Sequence, residues 1–273
     1  MKLFTLNAHS LVDGTRERQV RLLSSFLLSE LPDVIALQEA NQSMSAPELT
    51  DRHPNLMQNS TALKADNFAL DILDRLIDNG EKYHLLWLHV KCGYGRFDEG
   101  LALLTREKPQ DPRCFLISKE REVYDYRRRM ALTAYLPDSH VTVCCLHTGR
   151  ADDLSDPFAE QWKRLTSDVT SRERLIIMGD LNIPPDSSGE YGKILSDGFY
   201  DLYSLAESPI GSSTVSGGID GWSDRNVGEK MRIDYIFSSF LPSKGEKVTY
   251  RTVLDGKSGE TVSDHFGIIA EIK

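Results

Sequence analysis

The sequence predicts an α/β fold in one domain. Three observations predict it. Short apolar runs rich in branched side chains read as strands, amphipathic stretches at helical spacing lie between them, and no repeat, low-complexity tract or linker divides the chain. At 273 residues the chain can build one large core. Hydrophobic residues at 40% and charged residues at 27% exclude disorder, and the longest apolar runs fall far short of the ~20 residues a membrane span needs.

Residues 2–6 read as a short strand ending at Asn7, after which Ala8, His9 and Ser10 begin a loop. In residues 15–30, Val20, Leu23, Phe26 and Leu27 recur at helical spacing, which predicts an amphipathic helix over a sheet, stopped by Pro32. Residues 33–39 predict a buried strand with Glu39 at its C-terminal end. Residues 40–64 are polar and irregular and read as a loop able to roof a pocket. Asp66 or Asn67 then caps a helix through Leu76 that stops near Gly80. Residues 83–90 and 101–106 are strands, separated by a flexible connection over 93–100. Arg127, Arg128 and Arg129 lead into a hairpin of residues 130–136 and 140–147, turned by Pro137, Asp138 and Ser139. A helix from Pro157 through Asp168 carries Phe158, Trp162 and Leu165 on one stripe. Residues 197–205 read as a short strand region and 208–228 as a Gly- and Ser-rich loop. Residues 232–237, 247–254 and 266–272 read as strands.

Residues 175–186 concentrate the chemistry. The run from Leu175 to Met178 reads as a strand buried on both faces, and Pro184 and Pro185 must leave it. Residues two apart in extended chain point to one side, so Asp180 and Asn182 would present a carboxylate beside a carboxamide. A site handling phosphate, a metal ion and water needs that pairing: the carboxylate orients or deprotonates water while the amide holds an anionic oxygen. Gly, Asp, Asn and Pro also simply punctuate turns. Asn7, Glu39, His147, Asp264 and His265 lie at further strand ends, and Asp234 lies within a strand. A run of arginines is usually a solvated face, but Arg127, Arg128 and Arg129 start a strand beside the others and can hold a substrate phosphate.

Charge bears on partners. The 41 acidic and 32 basic residues give a formal net charge of −9, which repels a nucleic-acid backbone over most of a surface. Cys144 and Cys145 are adjacent in a strand and point to opposite faces, while Cys92 and Cys114 have no ligand spacing, so all four read as free core thiols. The N-terminus shows no apolar stretch before a cleavage site, which predicts a cytoplasmic chain without a signal peptide.

The ordered set Leu6-Asn7, Leu37-Gln38-Glu39, Leu146-His147, Gly179-Asp180-Leu181-Asn182, Arg232-Ile233-Asp234-Tyr235 and Ser263-Asp264-His265 resembles the endonuclease/exonuclease/phosphatase superfamily over nearly the whole chain. The resemblance implies a four-layer α/β sandwich, two packed mixed β-sheets flanked by helices. It also implies a Mg²⁺-dependent phosphoesterase (Mn²⁺ as a substitute). In it Glu39 binds metal with Asn7 and Asp264, Asp180 activates water, and Asn182 and His147 hold phosphate oxygens. His265 stabilises the pentacovalent state, with its tautomer fixed by Asp234.

Two departures narrow the branch. Abasic-site endonucleases of the superfamily carry a tyrosine where this chain has His147, and a second acid where it has His9, which becomes a substrate-side candidate. Tyr135 imitates that tyrosine one strand too early. Together with the acidic charge, these changes lean toward phosphatases, with a nuclease or other phosphodiesterase acting on nucleic acid as the alternative. The segments Asp66-Asn67-Phe68, Asp156-Pro157-Phe158 and Asp220-Gly221-Trp222 are similar to bacterial maltose 6'-phosphate phosphatases, implying a phosphorylated sugar as substrate. Trp222 would stack on a sugar ring, or else anchor its loop, while Asp220 or Asp224 accepts hydroxyl hydrogen bonds.

Overall fold

Alternation along β1 (Lys2–Asn7) sends Phe4 and Leu6 into one core and Leu3 into another, so the strand must lie between two layers. The structure is a computed structural model that describes all residues except 52, 60, 152, 170–173, 186–188, 217, 218, 220–229, 258 and 259. After β1 come α1 (Arg16–Glu30), β2 (Val34–Gln38), β3 (Gln42–Ser43), β4 (Leu56–Asn59), α2 (Phe68–Asp78), β5 (His84–Gly93) and β6 (Phe97–Thr105). Then follow β7 (Gln110–Leu116), β8 (Met130–Leu136), β9 (Val141–His147), α3 (Phe158–Asp168), β10 (Leu175–Asp180) and α4 (Glu190–Ser196). The chain ends with β11 (Tyr200–Asp201), α5 (Leu202–Leu205), β12 (Val215–Ser216), β13 (Lys230–Met231), β14 (Asp234–Ser238), β15 (Val248–Val253) and β16 (Gly267–Ile272).

One mixed sheet has the order β15-β16-β1-β2-β6-β5-β4, with β3 on β6; the other has the order β11-β14-β10-β9-β8-β7. Helices α1 and α2 bring Val20, Leu23, Leu27, Phe68 and Leu73 onto Phe4, Leu6, Ile35 and Leu37 of the first sheet. Helices α3 and α4 bring Phe158, Trp162, Leu165 and Ile194 onto Leu175 and Ile177 of the second. Between the sheets, Leu3, Val34 and Ala36 meet Leu132, Val143, Ile176 and Met178. The result is the four-layer α/β sandwich. Thr15 caps α1 by accepting from Arg18 N, and Asn67 caps α2 by accepting from Leu70 N. Among the described residues, no helix is long and apolar enough to cross a membrane.

Several expectations need correction. Residues 40–64 are not simply a loop, because β3 and β4 pair with β6 and β5 and extend the first sheet. The connection over 93–100 is mostly hairpin, with pairing continuing to Gly93 and Phe97 around a turn at Tyr94 and Gly95, both at positive φ. Residues 197–205 contain only the two-residue β11 before α5, since Asp201 caps a helical turn through Tyr203 N; α4 precedes them unannounced. Strand β7 also went unforeseen: Pro112 sits in it, tolerated because β7 is an edge strand with a register shift between Gln110 and Arg113. Its exposure leaves Cys114 at the surface, and Cys92, near the end of β5, is half-buried, so only Cys144 and Cys145 are core thiols; all four are free.

The inner faces carry the functional residues. Asn7 shares parity with Leu3, His147 with Val143 and Cys145, Asp180 with Ile176 and Met178, and Asp234 with Ile236. Because β9 and β10 run parallel and β14 runs antiparallel to β10, His147 and Asp234 are the register partners of Asp180. Gly179 permits this approach: its φ is +147°, and a Cβ there would stand 1.9 Å from the Leu146 carbonyl oxygen. Gly179→Ala should therefore lower stability by about 3 kcal/mol or more, read as a fall in the thermal midpoint. An unchanged midpoint would refute this account of the β9–β10 seam.

Candidate active site

The inner ends of both sheets open into a cavity of about 320 Å³ whose lining includes Asn7, His9, Glu39, Lys91, Glu99, Arg129, His147, Asp180, Asn182, Asp264 and His265. Its floor is built around the Asp180 carboxylate. Oδ2 accepts from Asn7 Nδ2 at 3.1 Å and lies 3.5 Å from His147 Nε2 and 3.8 Å from His265 Nε2. Oδ1 accepts from the Asn182 backbone N at 2.9 Å. Burial, then the nearby Asp234, push Asp180 up to about 7.

Glu39 reaches the cavity through backbone strain. Alternation would send it with Ile35 and Leu37 beneath the helices, but it adopts φ +48°, and its Oε1 accepts from Asn7 Nδ2 at 3.1 Å. Among the described residues this amide is the sole hydrogen-bond donor to the Glu39 carboxylate. Burial and the Glu99 charge hold Glu39 above the usual carboxylate range. Asn182 likewise takes φ +50°, so strand alternation does not place it beside Asp180 as expected. The strand ends at Asp180, and a turn closed by Asn182 N joins the two, while Asn182 Nδ2 donates to Thr148 O at 3.0 Å. Tyr235 holds this exit from below, donating to Ile183 O at 2.6 Å.

His265 Nδ1 lies 3.0 Å from Asp234 Oδ2. Burial opposes its charged form, but Asp234, joined by Asp180, prevails and raises it to about 10. Asp234 Oδ1 is buried with no partner among the described residues. His147 behaves in the opposite sense, since burial, Arg129 and Lys91 push it well below 6.5 and hold it neutral. His9 bridges Asp13 Oδ2 at 2.8 Å and the Tyr94 hydroxyl at 2.8 Å, with Asp264 Oδ1 3.5 Å away. Asp264 is thus set by His9 and by Asp13, whose Oδ2 accepts from the Asp264 backbone N at 3.1 Å. Among the described residues, two groups could hold a metal ion: Asp180, Asp234 and His265, and His9, Asp13 and Asp264. Their oxygen-rich donors, with Glu39, fit a hard divalent cation.

The arginine run divides. Arg127 is drawn away to Asp125, held by Nε at 2.9 Å and Nη2 at 2.6 Å, and lines a neighbouring cleft. Arg128 Nη1 donates to the Val90 carbonyl. Arg129 lines the cavity itself. Trp222, Asp220 and Asp224 lie outside the described residues. Tyr135 sits on the hairpin with its hydroxyl 3.1 Å from His140 Nδ1 and does not line the cavity.

Sequence reasoning missed Lys91 and Glu99, an ion pair at 3.1 Å in the cavity wall. Lys91 falls just past the strand read over 83–90 and Glu99 within the connection read over 93–100, so neither stood in a strand pattern that could single it out.

The Endonuclease/Exonuclease/phosphatase family model matches residues 4–265. The chain belongs to this family of phosphoester hydrolases, which spans phosphatases and nucleases. No curated protein matches. Among solved structures, an endonuclease/exonuclease/phosphatase family protein from Leptotrichia buccalis is 27% identical, with a TM-score of 0.86 and coverage of 100% of this chain and 99% of that one. A mannosyl-6-phosphatase from Bacteroides thetaiotaomicron is 16% identical, with a TM-score of 0.65 and coverage of 100% and 99%. A 3'-5' exonuclease from Neisseria meningitidis is 22% identical, with a TM-score of 0.64 and full coverage of both chains.

Breaking a buried ion pair from one side strands the other charge, which typically costs about 3–5 kcal/mol. Glu99→Gln should show a loss of that order by denaturant titration, and adding Lys91→Met should recover most of it. Additive losses would mean the pair is not coupled.

Proposed function

We propose that the protein is a Mg²⁺-dependent phosphomonoesterase acting on a sugar phosphate such as maltose 6'-phosphate. One observation carries the reading: Asn7, His147 and His265 all come within 4 Å of the Asp180 carboxylate at the floor of one cavity. A base, a cationic acid and a neutral imidazole around one point suit attack on phosphorus. Asp180, raised toward neutrality by burial and Asp234, takes the proton of the attacking water, and the oxygen enters in line with the departing alcohol. His265 stays protonated against Asp234 and donates to a phosphoryl oxygen as negative charge spreads there. Neutral His147 and the Asn182 amide border the remaining oxygens.

Glu39 and Asn7 would hold the metal, with Asp264 from the neighbouring acidic group. The ion, when bound, polarises the phosphoryl group and neutralises developing charge. Glu39 suits this because its buried carboxylate has an amide donor and no cation in hydrogen-bond contact among the described residues.

A compact cavity and a net charge of −9 favour a small phosphorylated sugar over nucleic acid, with Trp222 and Asp220 proposed to bind the sugar. Phosphate release from disaccharide phosphates is the direct assay. Asp180→Ala should cut turnover at least ~10³-fold while preserving the thermal midpoint, and EDTA should abolish activity that Mg²⁺ restores. Retained turnover in Asp180→Ala would overturn the mechanism. Efficient cleavage of abasic or duplex DNA with no turnover of any sugar phosphate would overturn the substrate.

A further inference from the structure

The cavity has a cationic wall that the hydrolytic residues do not use. Lys91 is buried, and Nζ contacts Glu99 Oε1 at 3.1 Å and the Tyr126 carbonyl at 3.2 Å. It reaches this place through a shift in register between His89 and Lys91, where β5 pairs His89 with Gly100 but Lys91 with Glu99. Such irregularities re-aim side chains at the ends of sheets. Arg129 arrives from the other sheet. Its backbone is fixed because N donates to Ser118 Oγ at 2.8 Å and its carbonyl accepts from Ile117 N at 3.0 Å.

Arg129 has the least compensated guanidinium of the three. Arg127 has the Asp125 carboxylate, and Arg128 donates from Nη1 to the Val90 carbonyl with its Nε left unpartnered, whereas Arg129 Nε and Nη1 are both buried with no hydrogen-bond partner and no carboxylate pairs with it among the described residues. A buried donor left unmade is costly. Glu99 satisfies Lys91, so the wall keeps uncompensated positive charge where Arg129 stands. Burial and the Arg129 charge both disfavour the ammonium of Lys91, so an anion between the two cations would relieve both.

We infer that Lys91 and Arg129 form an anion subsite for a phosphate group of the substrate. A planar guanidinium from one sheet and an ammonium from the other supply donors from separate directions, which suits a tetrahedral oxyanion. Arg129 also lines the adjoining cleft of about 380 Å³ together with Tyr126 and Arg150, so it stands where the two spaces meet. Phosphate held there has room for its esterified alcohol on one side and faces Asp180 on the other. This assignment rests on the phosphoesterase reading and deepens it.

Inorganic phosphate is the probe, titrated calorimetrically into the full chain with Mg²⁺ and again in EDTA. Arg129→Met should weaken phosphate binding about tenfold or more in both buffers, and Lys91→Met should weaken it too. Arg129→Lys should fall between wild type and Arg129→Met, and it guards against a Met variant that does not fold. Arg113→Met, which removes a distant exposed charge, controls for net charge. Phosphate affinity unchanged in Arg129→Met and Arg129→Lys, with or without a lowered melting point, would overturn the subsite, as would a wild-type chain that binds no phosphate. Weakened phosphate binding in these variants, in a protein that turns over no phosphate monoester, would sustain the subsite and defeat the phosphoesterase reading.

Discussion

The rest of the site depends on one buried carboxylate. Asp180 ends the central strand of the second sheet on the face turned toward the first, almost wholly buried at the floor of the cavity. Burying an acid in a low-dielectric seam is costly unless donors converge on it. The donors come from both layers: Asn7 from the first sheet, the backbone of Asn182 from the second, with two imidazoles close by. The carboxylate therefore sits where groups from both sheets meet at this end. Just below it Gln38, from the first sheet, donates to Cys145 Sγ of the second at 3.2 Å and to Thr5 Oγ1 at the same distance. That polar bridge closes the inter-sheet core beneath the cavity.

Backbone strain is concentrated where these groups are aimed. Glu39 and Asn182 occupy left-handed conformations, Gly179 allows a close backbone approach, and a register shift re-aims Lys91. Such conformations persist when the surroundings over-determine them. Tyr235 does so for the exit after Asp180, binding both Ile183 O and Arg232 O. Arg232 is in turn buried, paired with Asp201 and packed on the rings of Tyr203 and Tyr235. Two members of the Arg-Ile-Asp-Tyr segment thus serve as anchors, leaving Asp234 to orient His265.

Much of this was legible because strand alternation is a strong signal. The runs carrying Asn7, His147, Asp180 and Asp234 read correctly as strands or their ends, and their parity places them on one face. Helices α1, α2 and α3 were legible from their stripes and caps. The failures have local causes. Strand β3 is two polar residues and β4 only four mixed ones, β7 contains a proline, and α5 is a single capped turn, so none shows a period to read. Lys91 and Glu99 were missed because a long-range pairing, absent from the linear pattern, makes them neighbours.

The three consecutive arginines show what sequence and structure each contribute. Sequence registers only a charge run, which gives Arg127, Arg128 and Arg129 the same standing. Structure separates them by their countercharges. A guanidinium held by its own chain's carboxylate, as Arg127 is by Asp125, has little left to offer a ligand. One that donates to a backbone carbonyl, as Arg128 does, serves the connection between sheets. Arg129 alone of the three is fixed at its backbone and unpaired at its guanidinium among the described residues, and it lines the cavity built around Asp180. Buried donors are ordinarily satisfied, so an unsatisfied cation lining the same cavity as a buried carboxylate points to a ligand that completes it. The criterion is the missing partner, and no composition or spacing can express it.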